Sequence, residues 1–334
     1  MGNRRGAGGV RIADVAAAAG VAPMTVSRVI NTPDRVTADT AAKVRAVIVR
    51  LGYVPNLIAG GLSSRRSRMI AAIVPTIAHP MFTALFDSFT EALRGAGYQA
   101  MLSLSGYAPE REEELVRALL GRRPDAILLT GAEHGAATRQ MLAEAAIPVV
   151  EIFDAGKPID MLVGFDHEAI GVAVAEYFLV RGHARFAVFA AGDARALARR
   201  RGFAARVALA GGVLIGDPIV AAPSTIAAGR AALRALLPML GERAALFCSS
   251  DLLAFGAIVE ARAHGVDVPG GLGVCGFGDF ELGAASEPAF TTVTVEAARI
   301  GREAASMLLA RLQGTAVERG VVQVPFRIVE RAST

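Results

Sequence analysis

The sequence predicts an all-α N-terminal headpiece followed by an α/β core of two doubly wound parallel-sheet lobes. Three observations carry this expectation. A pattern of two short helices joined by a tight turn fills Val10 to Asn31, positive charge is concentrated before residue 69, and from Met69 onward short apolar runs alternate with amphipathic stretches for more than 250 residues. Such alternation implies strands in parallel sheets covered by helices on both faces.

In the first element, Ile12, Val15, Ala16 and Ala19 recur at three- and four-residue spacing and form one face of a helix. Gly20 ends it, because glycine adopts the left-handed backbone that a side chain resists, and Val21 follows as the buried pivot of the turn. Pro23, with φ already set and no N–H to satisfy, opens a second helix. Its Val26, Val29 and Ile30 point inward, while Met24, Thr25, Ser27 and Arg28 point out. Short polar side chains and one arginine at the start of a rigidly held helix fit the major groove of B-DNA. A third helix has Thr37 as N-cap, the stripe Ala41, Val44, Val47, Ile48 and Leu51, and Gly52 as its stop, closing a small three-helix core. Pro55 then breaks the chain. Asn56 to Arg68, with Gly60 and Gly61 inside and no core of its own, reads as a marginal helix or a linker.

Farther along, strands are expected at Met69–Pro75, Gln99–Leu104, Ala126–Thr130, Pro148–Phe153, Phe186–Ala190, Ala245–Cys248 and Gly273–Gly276. Helices are expected at Phe82–Arg94, Glu110–Gly121, Ala136–Ala145, Glu168–Arg181, Arg199–Ala210, Ile226–Leu237, Leu252–His264 and Glu296–Gln313. The lobes divide near Gly164, and facing sheets of this kind hold a small molecule at the carboxyl ends of their strands.

Charge sharpens the division. Residues 1–68 hold eleven Lys and Arg against Asp14, Asp34 and Asp39, a net of +8, whereas the whole chain is +4, so the remainder carries −4. A cationic module on an acidic body is the footprint of phosphate-backbone binding, with affinity that falls steeply with salt. No apolar run reaches the roughly 18 residues a bilayer span needs, and the N-terminal MGNRRGAGG has no apolar segment behind it, so a cytoplasmic protein is expected. Cys248 and Cys275 sit in apolar runs and are expected as small buried hydrophobes, with no disulfide, metal or cofactor. An enzyme is the main rival. Gly276-Phe-Gly278 lacks the third glycine of a dinucleotide loop, GxxxxGK[ST] and GxSxG are missing, and His79, His134, His167, His183 and His264 are too dispersed for metal spacing.

VRIADVAAAAGVAPMTVSRVIN, then LGYVPNLIAGGL, then tandem α/β lobes resemble the LacI/GalR repressor family from Val10 to about Arg331. PMTVSR, GYQAMLSLSGYAPEREEE, IPVVEIFD and VGFDHEAIG look most like its repressors of gluconate utilisation. The resemblance implies a helix-turn-helix headpiece over 1–54, a hinge helix over 55–68, and a periplasmic-binding-protein-like core over 69–334. In that core, lobe 1 is expected at about 69–165 plus 296–320 and lobe 2 at about 166–292 plus 321–334. It further implies a homodimer on a pseudopalindromic double-stranded operator, released or recruited by a sugar or sugar-acid effector, with no membrane partner. DNA contacts are then expected from Arg11, Pro23, Met24, Thr25, Ser27, Arg28 and Asn31, and from the hinge residues Asn56, Ala59 and Leu62, the last as a minor-groove wedge. The family's effector arginine precedes by three a Gly-aromatic pair that opens a helix, here Gly202-Phe203, which selects Arg199. Arg195 is a second cation suited to a sugar acid, and Phe82, Ser105, Tyr107, His134, Asp154, Ser250 and Asp279 complete the expected pocket. The chain departs from the family pattern at Ala22, which lacks a capping hydroxyl, and at Gly278 and Ser250, where an Asp and an Asn are usual.

Overall fold

The computed structural model describes residues 10–54 and 66–334, apart from the Asn31 side chain. They fall into two compact units, one ending at Ser67 and one beginning at Arg68.

The first unit packs α1 (Ile12–Ala19), α2 (Pro23–Asn31) and α3 (Ala38–Leu51) around Val15, Ala16, Ala19, Val26, Val29, Ala41, Val44 and Val47. Gly20 has φ 64°, and the Val21 N–H reaches back 3.0 Å to the Ala16 carbonyl, closing α1 in a Schellman turn. Val21 is only half-buried. At the start of α1 the Arg11 N–H donates to the Asp14 carboxylate at 2.8 Å, one half of a capping box, which satisfies one free end group. Ala22 stands at the N-cap of α2 with no side-chain bond, and Pro23 follows at the first helical position. Thr37 occupies the N-cap of α3, but its hydroxyl donates to Thr40 Oγ1 at 2.9 Å instead of accepting a backbone N–H.

The second unit contains two sheets. The first has the order β12-β5-β4-β3-β1-β2, formed by β1 (Met69–Val74), β2 (Gln99–Leu104), β3 (Ala126–Thr130), β4 (Val149–Ile152), β5 (Met161–Gly164) and β12 (Val321–Gln323), all parallel. The second has the order β13-β11-β10-β9-β6-β7, from β6 (Arg185–Ala191), β7 (Val213–Gly216), β9 (Ala244–Cys248), β10 (Leu272–Phe277), β11 (Thr291–Val295) and β13 (Phe326–Val329), with short β8 (Ile219–Val220) beside β6. Only β13 runs antiparallel, pairing Thr292 with Val329. Strands β1, β3 and β9 are buried on both faces, which is why they read as unbroken apolar runs.

The chain crosses between lobes after β5, after β11 and after β12. The last crossing therefore falls between Gln323 and Phe326, and 321–323 belong to the first lobe instead of the second: β12 pairs with β5 before the chain leaves. Helices α4 (Pro80–Arg94), α5 (Pro109–Leu120), α6 (Ala136–Ala145) and α12 (Ala297–Gln313) cover the first sheet. Helices α7 (His167–Val180), α8 (Ala194–Leu209), α9 (Ile226–Leu236) and α10 (Asp251–Ala263) cover the second, and α11 (Glu281–Ala285) lies between β10 and β11. Helix α8 starts five residues ahead of the expected Arg199, because Asp193 caps it by accepting the Ala196 N–H at 3.2 Å. Gly202-Phe203 thus sits inside this helix, not at its opening. At the crossing of α7 and α8, Gly171 faces the Arg199 backbone and Gly202 faces that of Glu168, so the two helices meet backbone to backbone. That contact anchors Arg199 in a rigid base.

Candidate functional site

In the second unit the carboxyl ends of both sheets converge on one cleft. Its inner compartment is walled by Phe82, Phe153, Phe165, Phe277 and Phe280 and floored by Arg199. Phe153 and Tyr107 line the cleft with φ of 57° and 63°, a left-handed backbone that bulky residues adopt only when the surrounding fold holds them. Phe153 directly follows β4, and Tyr107 lies three residues past the end of β2.

Arg199 is 5% exposed. Its Nη1 donates to His167 Nδ1 at 2.7 Å, its Nη2 to the Ser249 carbonyl at 3.0 Å, and its guanidinium stacks 4.0 Å from the Phe277 ring centroid. No carboxylate among the described residues lies in ion-pair reach, and its buried Nε has no hydrogen-bond partner. A cation held this way lacks the counter-ion that buried charges ordinarily require. Burial draws the Arg199 pKa down to about 10, partly opposed by the charge of Asp193. His167 Nε2 donates to the Phe153 carbonyl at 2.9 Å while Nδ1 accepts from Arg199, so the imidazole is neutral; burial, then Arg199, hold its pKa well below the ordinary value. His79, 8% exposed, brings a second unpartnered nitrogen, Nε2, into the lining. Burial lowers the His79 pKa and lifts that of the Tyr107 phenol to about 12. Arg195 lies 3.7 Å from Asp193 and 5.9 Å from the ring centroids of both Phe82 and Tyr107.

The structure brings Phe82, Tyr107, Arg195, Arg199 and Ser250 together in the inner compartment, and Ser105 and Asp154 in an adjoining outer one. Two expected residues are not in this lining. The His134 side chain has no exposed surface and is bound by Glu112 at 2.7 Å and Glu151 at 3.2 Å. Asp279 is turned to Arg331, which donates to it at 2.6 Å. Neighbouring carboxylates capture the first and a tail arginine the second, so neither is available to a ligand here. No periodic signal in the sequence pointed to His79, His167, Asp193 and Ser249; each lies just past a strand or at a helix start, and that position was the only signal available.

Ser250 is also committed to the fold, capping α10 by accepting the Leu252 N–H at 3.1 Å. Next to it, fully buried Asp251 accepts the Phe280 N–H at 2.7 Å and the Thr292 hydroxyl at 2.6 Å, tying the loop that carries Phe280 to the sheet. Burial raises the Asp251 pKa from 3.8 to about 6, more than those hydrogen bonds lower it. The folded form therefore binds this proton more tightly than the unfolded chain, and stability contributed below pH 4 is lost as pH rises to about 6. Asp251→Asn is expected to be more stable than wild type well above pH 6, by up to about 3 kcal/mol, and therefore to melt at a higher temperature there but at nearly the same temperature near pH 4. Melting curves across that range check it; a difference independent of pH would overturn it.

In the first unit, α2 presents Met24, 63% exposed, and Arg28 to solvent, with Thr25 and Ser27 partly buried beside them and Val26 and Val29 in the core. Pro23 is exposed at the start of the helix, and Arg11 is exposed at that of α1. Asn56, Ala59 and Leu62, and the Asn31 side chain, lie outside the described residues. No single helix among the described residues is long and apolar enough to cross a membrane.

A helix-turn-helix unit with an exposed reading face, joined in one chain to a two-lobed core around a cleft floored by a buried cation, is the build of a ligand-responsive DNA-binding transcriptional regulator. The chain belongs to the lacI family of bacterial regulatory proteins. The profile of that family matches residues 11–56, and that of the periplasmic binding protein-like domain matches 175–334. The HTH-type transcriptional regulator GntR of Pseudomonas aeruginosa is 34% identical over 99% of this chain and 98% of its own length. GntR of Escherichia coli K12 is 31% identical over 94% and 96%. A lacI-family transcriptional regulator from Silicibacter pomeroyi superposes with a TM-score of 0.91 at 32% identity, covering 97% of this chain and 99% of that one.

Proposed function

We propose that the chain is a cytoplasmic homodimeric repressor whose grip on a pseudopalindromic operator is set by a sugar acid of the gluconate type. The observation that carries the effector class is Arg199: a buried cation with no carboxylate partner and an unused Nε, facing a cleft lined with aromatic rings. A ligand carboxylate would supply the missing counter-charge, and Arg195 and His79 lie beside it. Phe82, Ser105, Tyr107, Asp154 and Ser250 then stand to pack or orient the sugar chain. The dimer is supported by Met101 and Leu104, exposed on the edge strand β2, and a twofold assembly would match a pseudopalindromic site.

Because two lobes share the cleft, a ligand that binds one relative orientation better shifts the population toward it and alters the spacing of two headpieces. Arg11, Pro23, Met24, Thr25, Ser27, Arg28 and Asn31 would meet the major groove. Asn56, Ala59 and Leu62 would meet the minor groove, and a bacterial chromosome as partner implies the cytoplasm. Melting curves of the full-length protein with a panel of sugar acids and neutral sugars test the effector class: a rise with acids alone is expected, and a rise with neutral sugars alone would overturn it. For the operator, Leu62→Ala is expected to weaken binding to the specific site by about 1–3 kcal/mol while leaving salt-dependent binding to random duplex unchanged. Gel-shift titrations on both duplexes read this, and equal loss on the two would refute a wedge.

A further inference from the structure

The outer compartment of the cleft has a charge opposite to the inner one. Glu112, Glu133, Asp154 and Asp193 line it, with Arg195 as the one cation among its described lining residues, and Asp193 already stands against Arg195. Tyr107, Asp193 and Arg195 belong to both compartments, so a single ligand can occupy the two. Glu112 is fixed from beneath. His134 Nδ1 lies 2.7 Å from Glu112 Oε1, and its Nε2 lies 3.1 Å from the Gly131 carbonyl and 3.2 Å from Glu151 Oε1. Both ring nitrogens thus face acceptors, which makes His134 an imidazolium donating on two sides. Burial alone would lower its pKa, but Glu112 and Glu151 together raise it to about 9. Glu151 is wholly buried and its Oε2 accepts the Ile159 N–H at 2.6 Å, whereas Glu112 keeps 14% of its side chain open to the cleft. Two carboxylates on one imidazolium leave a net negative charge, and Glu112 is its exposed end. The independent sign that a ligand belongs here is at the other end of the cleft, where nine-tenths-buried Arg199 and His79 each leave a nitrogen without a partner.

We infer that this cleft selects a polyhydroxylated monocarboxylate whose far end is uncharged, and that Glu112, positioned by His134, rejects ligands carrying a second anionic group there. This rests on the sugar-acid reading above. The cationic floor takes the carboxylate, and the acidic outer wall accepts hydrogen bonds from the hydroxyls of the chain. A carboxylate or phosphate at the far end would meet Glu112, Glu133 and Asp154 together, and the like charges of the wall would repel it.

Calorimetric titration of the full-length protein with gluconate, glucarate and glucitol tests it. Gluconate is expected to bind at least about tenfold more tightly than glucarate, with glucitol weaker still. Glu112→Gln is expected to close most of that gap by strengthening glucarate, and His134→Gln to close part of it, while the melting temperature without ligand confirms folding. Equal affinity of the wild type for gluconate and glucarate overturns the selectivity and leaves the sugar-acid reading standing. Binding of glucitol but of neither acid overturns both. A Glu112→Gln ratio unchanged in a folded protein removes Glu112 as its source.

Discussion

Arg199→Met is expected to abolish the response to a sugar acid while leaving the unliganded protein folded. Methionine fills much of the arginine stem and removes a buried charge whose desolvation the charge of Asp193 offsets only in part and no ion pair relieves. Against this gain, His167 Nδ1 and the Ser249 carbonyl lose their donor. Each unsatisfied acceptor costs about 1–3 kcal/mol unless water replaces it, so the two effects oppose and the melting temperature should move by only a few degrees. Binding has no such offset. A charge-assisted contact to a ligand carboxylate in a dry site is worth about 3 kcal/mol, so affinity should fall by about 100-fold or more. Arg199→Lys keeps the charge but cannot address His167, Ser249 and a ligand at once, and should recover only part of the loss. Operator titrations with and without gluconate provide the functional readout: the variant should bind DNA as the free wild type does and ignore the acid. A wild-type response in Arg199→Met would place the carboxylate elsewhere.

How much of this could be read in the sequence depended on the range of the interactions involved. The headpiece was legible almost residue by residue, because α1, α2 and α3 are fixed by local spacing, by Gly20 and Gly52 in left-handed conformations, and by Pro23. Buried central strands such as β3 and β9 announced themselves as apolar runs. Strands β5, β7, β11, β12 and β13 did not, since they are short, carry threonine or exposed positions, and exist only through partners far away in sequence, as β12 does beside β5. The cleft followed the same rule. Arg199 and Tyr107 were reachable by family resemblance, whereas His79 and His167 became visible only once the strand ends met. His134 and Asp279 were misplaced because a position matched to the family's pocket, or adjacent to it in the chain, says nothing of where the side chain turns; Glu112 and Arg331 decide that. The close approach of α7 to α8 was not legible either, because Gly171 and Gly202 read as weak points in a helix until the two are seen to face each other's backbone.

Gly171→Ala should destabilise the protein by about 3 kcal/mol or more, far beyond the usual effect of alanine in a helix. On propensity alone the change favours the folded state by roughly 0.8–1 kcal/mol. The added methyl, however, would fall against the Arg199 carbonyl oxygen and 2.6 Å from the Phe203 nitrogen, both backbone atoms of α8 that cannot rotate away. Relief requires the helices to part, and Phe178, Phe186 and Phe203, fully buried in the surrounding core, would lose packing as they do. The displaced segment is the one that carries Arg199 at the floor of the cleft, so effector affinity should fall together with stability. Leu209→Ala on the same helix, at an exposed position, serves as the control and should alter neither. Thermal denaturation and gluconate titration of the two variants side by side would decide it. A Gly171→Ala protein as stable as wild type would mean that α7 and α8 can separate without cost, and that Arg199 is not held by their contact.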